Sequence, residues 1–209
     1  MSFWFLVSVV GLFVVVPIHF LSVEHSRLDA RFGEQRGYKI GAALGMISGW
    51  GFFLFLIGVW VSPQERFLFN IWGTSEMYFV LALGYLSLII PILHLLLSLV
   101  FLIPGAYLGI RGVTAMGLKT AETHRAEMVI STGVYSRVRH PQYLGAILSH
   151  IGASFLFSAY YSLIVTPLVI IINYILCWKE ENELVREFGD AYIEYQEIVP
   201  MMFPRRKKN

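Results

Sequence analysis

Two short polar runs hold most of the residue types in this chain that could do chemistry. One is Gly133-Val134-Tyr135-Ser136-Arg137-Val138-Arg139-His140-Pro141-Gln142-Tyr143-Leu144-Gly145. The other opens Lys179-Glu180-Glu181-Asn182-Glu183-Leu184 and continues through Phe188-Gly189, Tyr192 and Tyr195. Pro141 disfavours helical backbone at His140 and suits the first turn of a helix that starts there. Exposed amides at that start, with Arg139 and His140 beside them, suit an anionic group such as a carboxylate. An ordinary basic membrane boundary capped by aromatics would use the same residues, and the residues alone leave both readings open. Glu180 and Glu181 stand where an apolar segment ends, and carboxylates buried near lipid need partners. They could accept hydrogen bonds from ribose hydroxyls or pair with an ammonium group. Leu184, Phe188, Tyr192 and Tyr195 recur at helical spacing, and Glu183, Glu187, Asp190, Glu194 and Glu197 make the other face acidic. Such a helix is expected to dock on its own protein rather than on anionic lipid, with a solvated tail as the alternative.

The elements that must position these runs are set by composition. The 209 residues are 56% hydrophobic, 15% aromatic and 14% charged, with mean hydropathy +0.64. Soluble domains run near 45–50% apolar and about 25% charged, so the bilayer is the relevant solvent, and disorder, collagen and coiled coil are excluded. Four blocks carry no Asp, Glu, Lys or Arg: residues 2–22, 40–62, 77–110 and 143–178. The first two are each about one bilayer long at about 1.5 Å per residue. The third would be roughly 51 Å as one helix, and is expected to overrun the cytoplasmic face or to kink at Pro91 or Pro104. The fourth breaks near Ala159-Tyr160-Tyr161-Ser162 and reads as a tight helical hairpin with tyrosines at the far interface.

Charge orients the spans. Arg27, Arg31, Arg36 and Lys39 fall between the first two blocks, and only Arg66 between the second and third. Arg111, Lys119, Arg125, Arg137 and Arg139 lie before the hairpin; Lys179, Arg186, Arg205, Arg206, Lys207 and Lys208 follow it. With five spans, 15 of the 16 basic residues share one face, which the positive-inside rule makes cytoplasmic. Six spans would put five of them outside. The expected fold is therefore an all-α integral membrane protein of five transmembrane helices, the last two a tight hairpin. Its N-terminus lies outside and its C-terminus is cytoplasmic, with an amphipathic C-terminal helix on that face. Residues 1–110 hold the first three spans. Residues 111–209 form the catalytic region: a cytoplasmic loop 111–142, the hairpin 143–178, and the helix and tail 179–209. The first block lacks a basic start and a small-residue cleavage site, so it reads as a retained span. Arg205-Arg206-Lys207-Lys208 reads as an anchor for anionic lipid.

Several function classes drop out. Ion-coupled transporters and pumps usually need an ionisable residue at mid-membrane, and only His19, His94 and His150 lie within the blocks. All three read as packed, hydrogen-bonded residues. Gly41, Gly45 and Gly49 form a ridge suited to close helix packing. The chain has no phosphate-binding loop, no paired-cysteine motif, no His-Glu-x-x-His and no Gly-x-Ser-x-Gly. A single cysteine, Cys177, excludes an intrachain disulfide framework. No metal and no nucleic-acid partner is expected.

At the two polar runs the sequence resembles the isoprenylcysteine carboxyl methyltransferases and the related phospholipid methyltransferases. The matching residues are Gly133, Tyr135, Arg139-His140-Pro141, Tyr143, Gly145, Glu180-Glu181, Leu184, Phe188-Gly189, Tyr192, Tyr195, Val199-Pro200 and Pro204. They cover roughly the last third of the chain; the first half resembles the family only in being hydrophobic. The resemblance implies an integral-membrane enzyme that uses S-adenosylmethionine and releases S-adenosylhomocysteine. It implies that Tyr135, His140, Pro141, Gln142, Tyr143 and Gly145 belong to the cofactor pocket and that Glu180 closes it. Relatives also touch the cofactor through a His-Arg-Leu-Val stretch, whose last two positions fall here on Val129 and Ile130. Glu127 and Met128 replace its His-Arg, with His124-Arg125 three residues earlier. Many relatives carry an arginine one turn before the glutamate pair; Leu176 stands there, and Lys179 is the nearest cation.

The implied reaction is methyl transfer to a lipophilic acceptor entering from the bilayer, first of all the carboxylate of a prenylated cysteine. Arg139 or Lys179 would orient that carboxylate. An amine acceptor, as in phospholipid N-methylation, would need a base, for which Glu181 or His140 is placed. A scaffold or carrier that keeps only the fold is the alternative of another class. The working face is expected to be cytoplasmic, at the plasma membrane of a prokaryote or the endoplasmic reticulum of a eukaryote.

Overall fold

Long apolar stretches satisfy their backbone in lipid only as helices or closed barrels, and helices dominate here. The computed structural model describes residues 1–69, 77–83, 86–117 and 128–203. In chain order they form α1 (Phe3–Val23), α2 (His25–Phe32), α3 (Glu34–Val61), strands β1 (Tyr78–Leu83) and β2 (Leu86–Pro91), and α4 (Ile92–Met116). A 3₁₀ turn (Gly133–Ser136) then leads into α5 (Pro141–Leu156), α6 (Tyr160–Ile164), α7 (Thr166–Phe188) and α8 (Asp190–Ile198). Helices α1, α3 and α4 are long and apolar enough to cross a membrane. Large side chains such as Trp50, Leu54, Val100 and Ile103 point outward from α3 and α4, as a lipid-facing surface requires. Helix α5 has 16 residues, about 24 Å at 1.5 Å per residue, and is shorter than those three.

Two packing units carry the site. Helix α1 lies along α3, and α4 along α5. Phe5 and Leu12 of α1, Leu56 and Val59 of α3, and Val169, Ile172 and Leu176 of α7 form one buried cluster. The α4–α5 crossing is made backbone to backbone. A Cβ added at Gly145 would lie 2.7 Å from the Gly105 carbonyl oxygen and 2.9 Å from the Gly109 nitrogen. Of the ridge on α3, Gly41 approaches the Ser22 carbonyl, whereas Gly49 faces open space.

The all-α expectation fails at one place. Tyr78–Leu83 and Leu86–Pro91 are not the start of a long helix but an antiparallel pair of strands, with Tyr78 opposite Pro91 and Leu83 opposite Leu86. Pro91 explains where α4 begins: it disfavours helical backbone at Ile90 and sits as the N-cap of the helix starting at Ile92. Pro104 stays inside α4. The hairpin breaks where the sequence indicated. Ser158 takes a left-handed φ of 51° and α6 begins at Tyr160. Its tip is stitched to the segment after α3, with Tyr160 N donating to the Glu65 carbonyl (3.1 Å) and Phe67 N to that of Ser158 (3.1 Å).

His94 and His150 are wholly buried and hydrogen-bonded. His150 accepts from Trp60 Nε1 at 3.0 Å and lies 3.2 Å from the Thr166 hydroxyl. His94 contacts the Ser158 hydroxyl at 2.8 Å. Gly189, at φ 57°, makes the left-handed turn between α7 and α8 that a side chain would strain. Helix α8 then docks Tyr192 and Tyr195, with Val199, against Val129, Leu184, Val185 and Phe188. The charged tail 205–208, Pro204 and the 124–127 stretch lie outside the described residues.

Candidate functional site

The turn before α5 is held by the far end of the chain. Arg139 N donates to the Pro200 carbonyl and His140 N to that of Met201, each at 2.9 Å. The Tyr195 hydroxyl reaches across to the Tyr135 carbonyl at 2.6 Å. The Val199-Pro200 pair is therefore structural, a clasp over the Arg-His-Pro turn. Pro141 opens α5 and is itself buried. Helix geometry leaves the Gln142 and Tyr143 amides without an intrahelical acceptor.

The two glutamates do different things. Glu181 is 6% exposed and takes a forked pair from Arg139, Nε to Oε1 at 2.6 Å and Nη2 to Oε2 at 3.0 Å. Gln196 Nε2 donates to Oε2 at 2.9 Å, and His140 Nε2 lies 3.2 Å from Oε1. Burial alone would push this carboxyl up; hydrogen bonds from His140 and Arg139 outweigh it and hold the group below its ordinary range. The remaining Arg139 nitrogen donates to the Gln196 carbonyl at 3.0 Å and to that of Val199. Glu180, by contrast, receives the Tyr143 hydroxyl, with His19 Nε2 3.1 Å away and His140 Nδ1 3.6 Å away. His140 thus sits between both carboxylates.

Part of this cluster walls an open cleft at the ends of α1, α4, α5 and the polar end of α7. Tyr135, Arg139, His140, Pro141, Gln142, Tyr143 and Glu180 all line it. Burial, with the Glu180 charge nearby, pushes the Tyr135 phenol up to about 12 despite the Gln142 hydrogen bond. It stays a donor at neutral pH, directed at the Gly112 carbonyl (3.3 Å). The other expected residues are elsewhere. Gly145 serves the α4 contact, and Val129 packs on α8. Ile130 is half-buried and, like Glu181 and Lys179, is not on the cleft wall. Lys179 pairs with Glu24 at 2.7 Å and Glu183 at 3.4 Å, and this hydrogen bond holds Glu24 below its ordinary range.

Sequence reasoning missed the far wall: His25, Met116, Glu183 and Glu187 also face the cleft. It missed His19 as well, which joins Glu180 from α1. Glu183 and Glu187 follow Glu180 at steps of three and four, a signal that could have found them. Behind the cleft, and sharing Gln142 and Tyr143 with it, lies a second cavity walled by α1, α3, α5 and α7.

The described residues form an apolar helical scaffold with a polar cleft where two distant runs converge, and comparison with known proteins says what such a chain is similar to. Residues 93–191 match the phospholipid methyltransferase family. Three curated relatives, each named protein-S-isoprenylcysteine O-methyltransferase, align with the chain. That of Schizosaccharomyces pombe is 28% identical over 152 residues, covering 66% of this chain and 52% of the relative. That of Saccharomyces cerevisiae is 34% identical over 85 residues, 37% of this chain and 33% of the relative. That of Xenopus laevis is 30% identical over 91 residues, 40% and 29%. The chain spans about half the length of the first relative and about a third of the other two. Over these stretches the chain is similar to the phospholipid methyltransferase family and to the three isoprenylcysteine O-methyltransferases.

Proposed function

We propose that this protein transfers the methyl group of S-adenosylmethionine to a lipid-borne acceptor, the carboxylate of a prenylated cysteine, giving a methyl ester. One observation carries the reading: the Arg-His-Pro-x-Tyr turn and the Glu-Glu pair close on one cleft, with Tyr143 bonded to Glu180 and His140 within reach of both glutamates. The cleft's chemistry fits the cofactor. Carboxylates at Glu180, Glu183 and Glu187 suit ribose hydroxyls and an ammonium, the α5 amides suit a carboxylate, and Tyr135, Leu184 and Met116 offer apolar cover to a flat ring. When bound, the sulfonium supplies an electrophilic methyl carbon.

The chain's own part is placement. A carboxylate acceptor is ionised near neutral pH and needs no base. Catalysis then rests on holding it in line at near-attack distance, worth about 7–11 kcal/mol, in a site with little water. Arg139 and Glu181 act as positioning residues: each is saturated by the other and by the C-terminal clasp, so neither is the base nor the carboxylate holder. Lys179, committed to Glu24 and Glu183, fixes α7 to the end of α1.

In this reading the chain has five spans with the N-terminus outside and the cleft on the cytoplasmic face. Two observations support it: the hairpin tip is bonded to the segment beyond α3, at the end away from the cleft, and a five-span count assigns 15 of the 16 basic residues of the sequence to one face. The test is purified protein in detergent with radiolabelled S-adenosylmethionine and an S-farnesylcysteine analogue. Alkali-labile volatile label is the expected product; base-stable label would mean an amine or carbon acceptor, and no transfer to any lipid would favour a scaffold. By calorimetry, Glu180→Ala and His140→Ala should lose cofactor binding while still folding.

A further inference from the structure

Most of the cleft wall comes from the two polar runs late in the chain, but one side comes from its beginning. Val23 and His25, at the joint between α1 and α2, stand on the wall with Glu183, Leu184 and Glu187 of α7. The family match begins at residue 93, well beyond both. Between the two helices Glu24 has φ −77° and ψ 58°, outside helical values, so the helix is interrupted there. Helix α2 has no fully buried side chain and packs along α3 rather than α7. Apolar packing of α2 therefore does not hold it to α7.

Charge does so instead. Lys179 donates to Glu24 at 2.7 Å and to Glu183 at 3.4 Å, and its ammonium stands 5.7 Å from the centre of the Phe20 ring. It thus ties the last turn of α1 and the joint to a carboxylate of the cleft wall. Glu24 also takes Arg27 at 3.0 Å, and Glu183 takes Arg186 at 2.7 Å. Five charges alternate in sign from α2 across to α7. The arginines at the ends are exposed, whereas Glu24 and Lys179 are 20% and 13% exposed, so water and salt screen the middle pair less than a surface pair. Beside it runs a polar groove lined by His25, Ser26, Asp29, Glu183 and Glu187, which shares His25, Glu183 and Glu187 with the cleft. His25 stands at the lip between the two. A Cβ on Gly41 would lie 3.7 Å from its Nδ1, so α3 backs the imidazole.

We propose that the α1–α2 joint is a wall of the cofactor site, that His25 touches S-adenosylmethionine there, and that the Glu24–Lys179 pair positions it. The assignment rests on the methyltransferase reading above and adds to it residues from the start of the chain. Lys179 is not on the cleft wall and acts through the joint, as a positioning residue. The pair holds the cofactor's surroundings and takes no part in bond-making.

Calorimetry with S-adenosylmethionine, thermal unfolding and turnover, all in one detergent, test this. Lys179→Met strands no carboxylate, because Glu24 keeps Arg27 and Glu183 keeps Arg186; Glu24→Gln leaves Lys179 with Glu183. Both variants should therefore melt like the parent. Each should weaken cofactor affinity about fivefold, the contribution of an ion pair at the upper end of the solvent-screened range, and the double variant no further. At saturating cofactor kcat should keep the parent value, and Lys179→Arg, which retains the charge, should bind like the parent. His25→Ala should also weaken binding, and adding Lys179→Met to it should cost little more. Parent-like affinity in His25→Ala or in both pair variants, additive losses, or a Lys179→Arg protein as weak as Lys179→Met overturns the proposal while methyl transfer stands. A large melting loss in both pair variants makes the pair a prop of the fold and overturns it too. A parent that binds no S-adenosylmethionine overturns the enzymatic reading and this wall together.

Discussion

Removing the Glu181 carboxylate should unfold the site before it slows any chemistry. Both side chains of the Arg139–Glu181 pair are 8% exposed, and Arg139 makes four hydrogen bonds, two to Glu181 and two to carbonyls of the C-terminal clasp. Glu181→Leu strands a guanidinium that cannot shed its proton, and breaking a buried pair from one side costs about 3–5 kcal/mol. At about 2–4 °C per kcal/mol for a chain this size, the melting temperature should fall by roughly 6–20 °C. Arg139→Met should cost less at the carboxylate, because Glu181 keeps His140 and Gln196, but it also frees two carbonyls. The double variant should melt well above the value expected from adding the two losses, by a coupling of about 2 kcal/mol or more. The assay is thermal unfolding in one detergent, with cofactor affinity measured in parallel. A Glu181→Leu protein that melts like the parent yet turns over no substrate would refute the structural reading and make Glu181 a base. Additive losses would refute the pairing.

The same geometry makes further predictions. Glu181 and Glu24 both ionise more readily in the fold than their ordinary value of 4.5, so the stability they provide is complete above that pH and lost as pH falls below it. The parent's melting temperature should drop in acid below about 4.5, and that of Glu181→Gln should drop less; parallel curves would contradict this. Gly145→Leu forces side-chain bulk against the Gly105 carbonyl, and overpacking of about 1–3 kcal/mol or more should lower the melting temperature and cofactor affinity together. Tyr143→Phe removes a hydrogen bond to a charged group, worth about 1.5–3 kcal/mol; the melting temperature should fall by several degrees, and calorimetry should show weaker cofactor binding. Tyr195→Phe removes the bond to the Tyr135 carbonyl, about 0.5–1.5 kcal/mol, and should show as a melting shift of a few degrees.

Local rules made parts of this fold legible in the sequence. Pro141 marks the start of α5, the Ala159-Tyr160 break marks the hairpin tip, and the Leu184–Tyr195 periodicity marks a face that docks on the protein itself. Each is a signal carried by residues close together in the chain. The pairing of Tyr78–Leu83 with Leu86–Pro91 was not legible, because a short run of Leu, Ile and Val suits helix or strand and no alternation of polar residues chooses between them. Nor was His19. A span that is apolar all round has no periodicity to say which face points inward, so a lone histidine in it reads as packing. Its meeting with Glu180 depends on how α1 leans against α7, and that is settled by Phe5, Leu12, Val169 and Ile172 together.

Adjacent glutamates at the end of a membrane helix look redundant in sequence, and the structure shows why both are needed. Successive residues on a helix point about 100° apart, so one carboxylate faces the clasp and the other the cleft. Glu181, turned toward Arg139 and Gln196, converts the C-terminal helix into a buttress for the Arg-His-Pro turn. Glu180, turned toward Tyr143 and His19, faces the junction of the two cavities. His140 touches both and ties the position of the second to the rigidity of the first. A shift of the clasp therefore reaches Glu180 through His140. Loss of Tyr195 or Gln196 should for this reason weaken cofactor binding even though neither side chain lines the cleft.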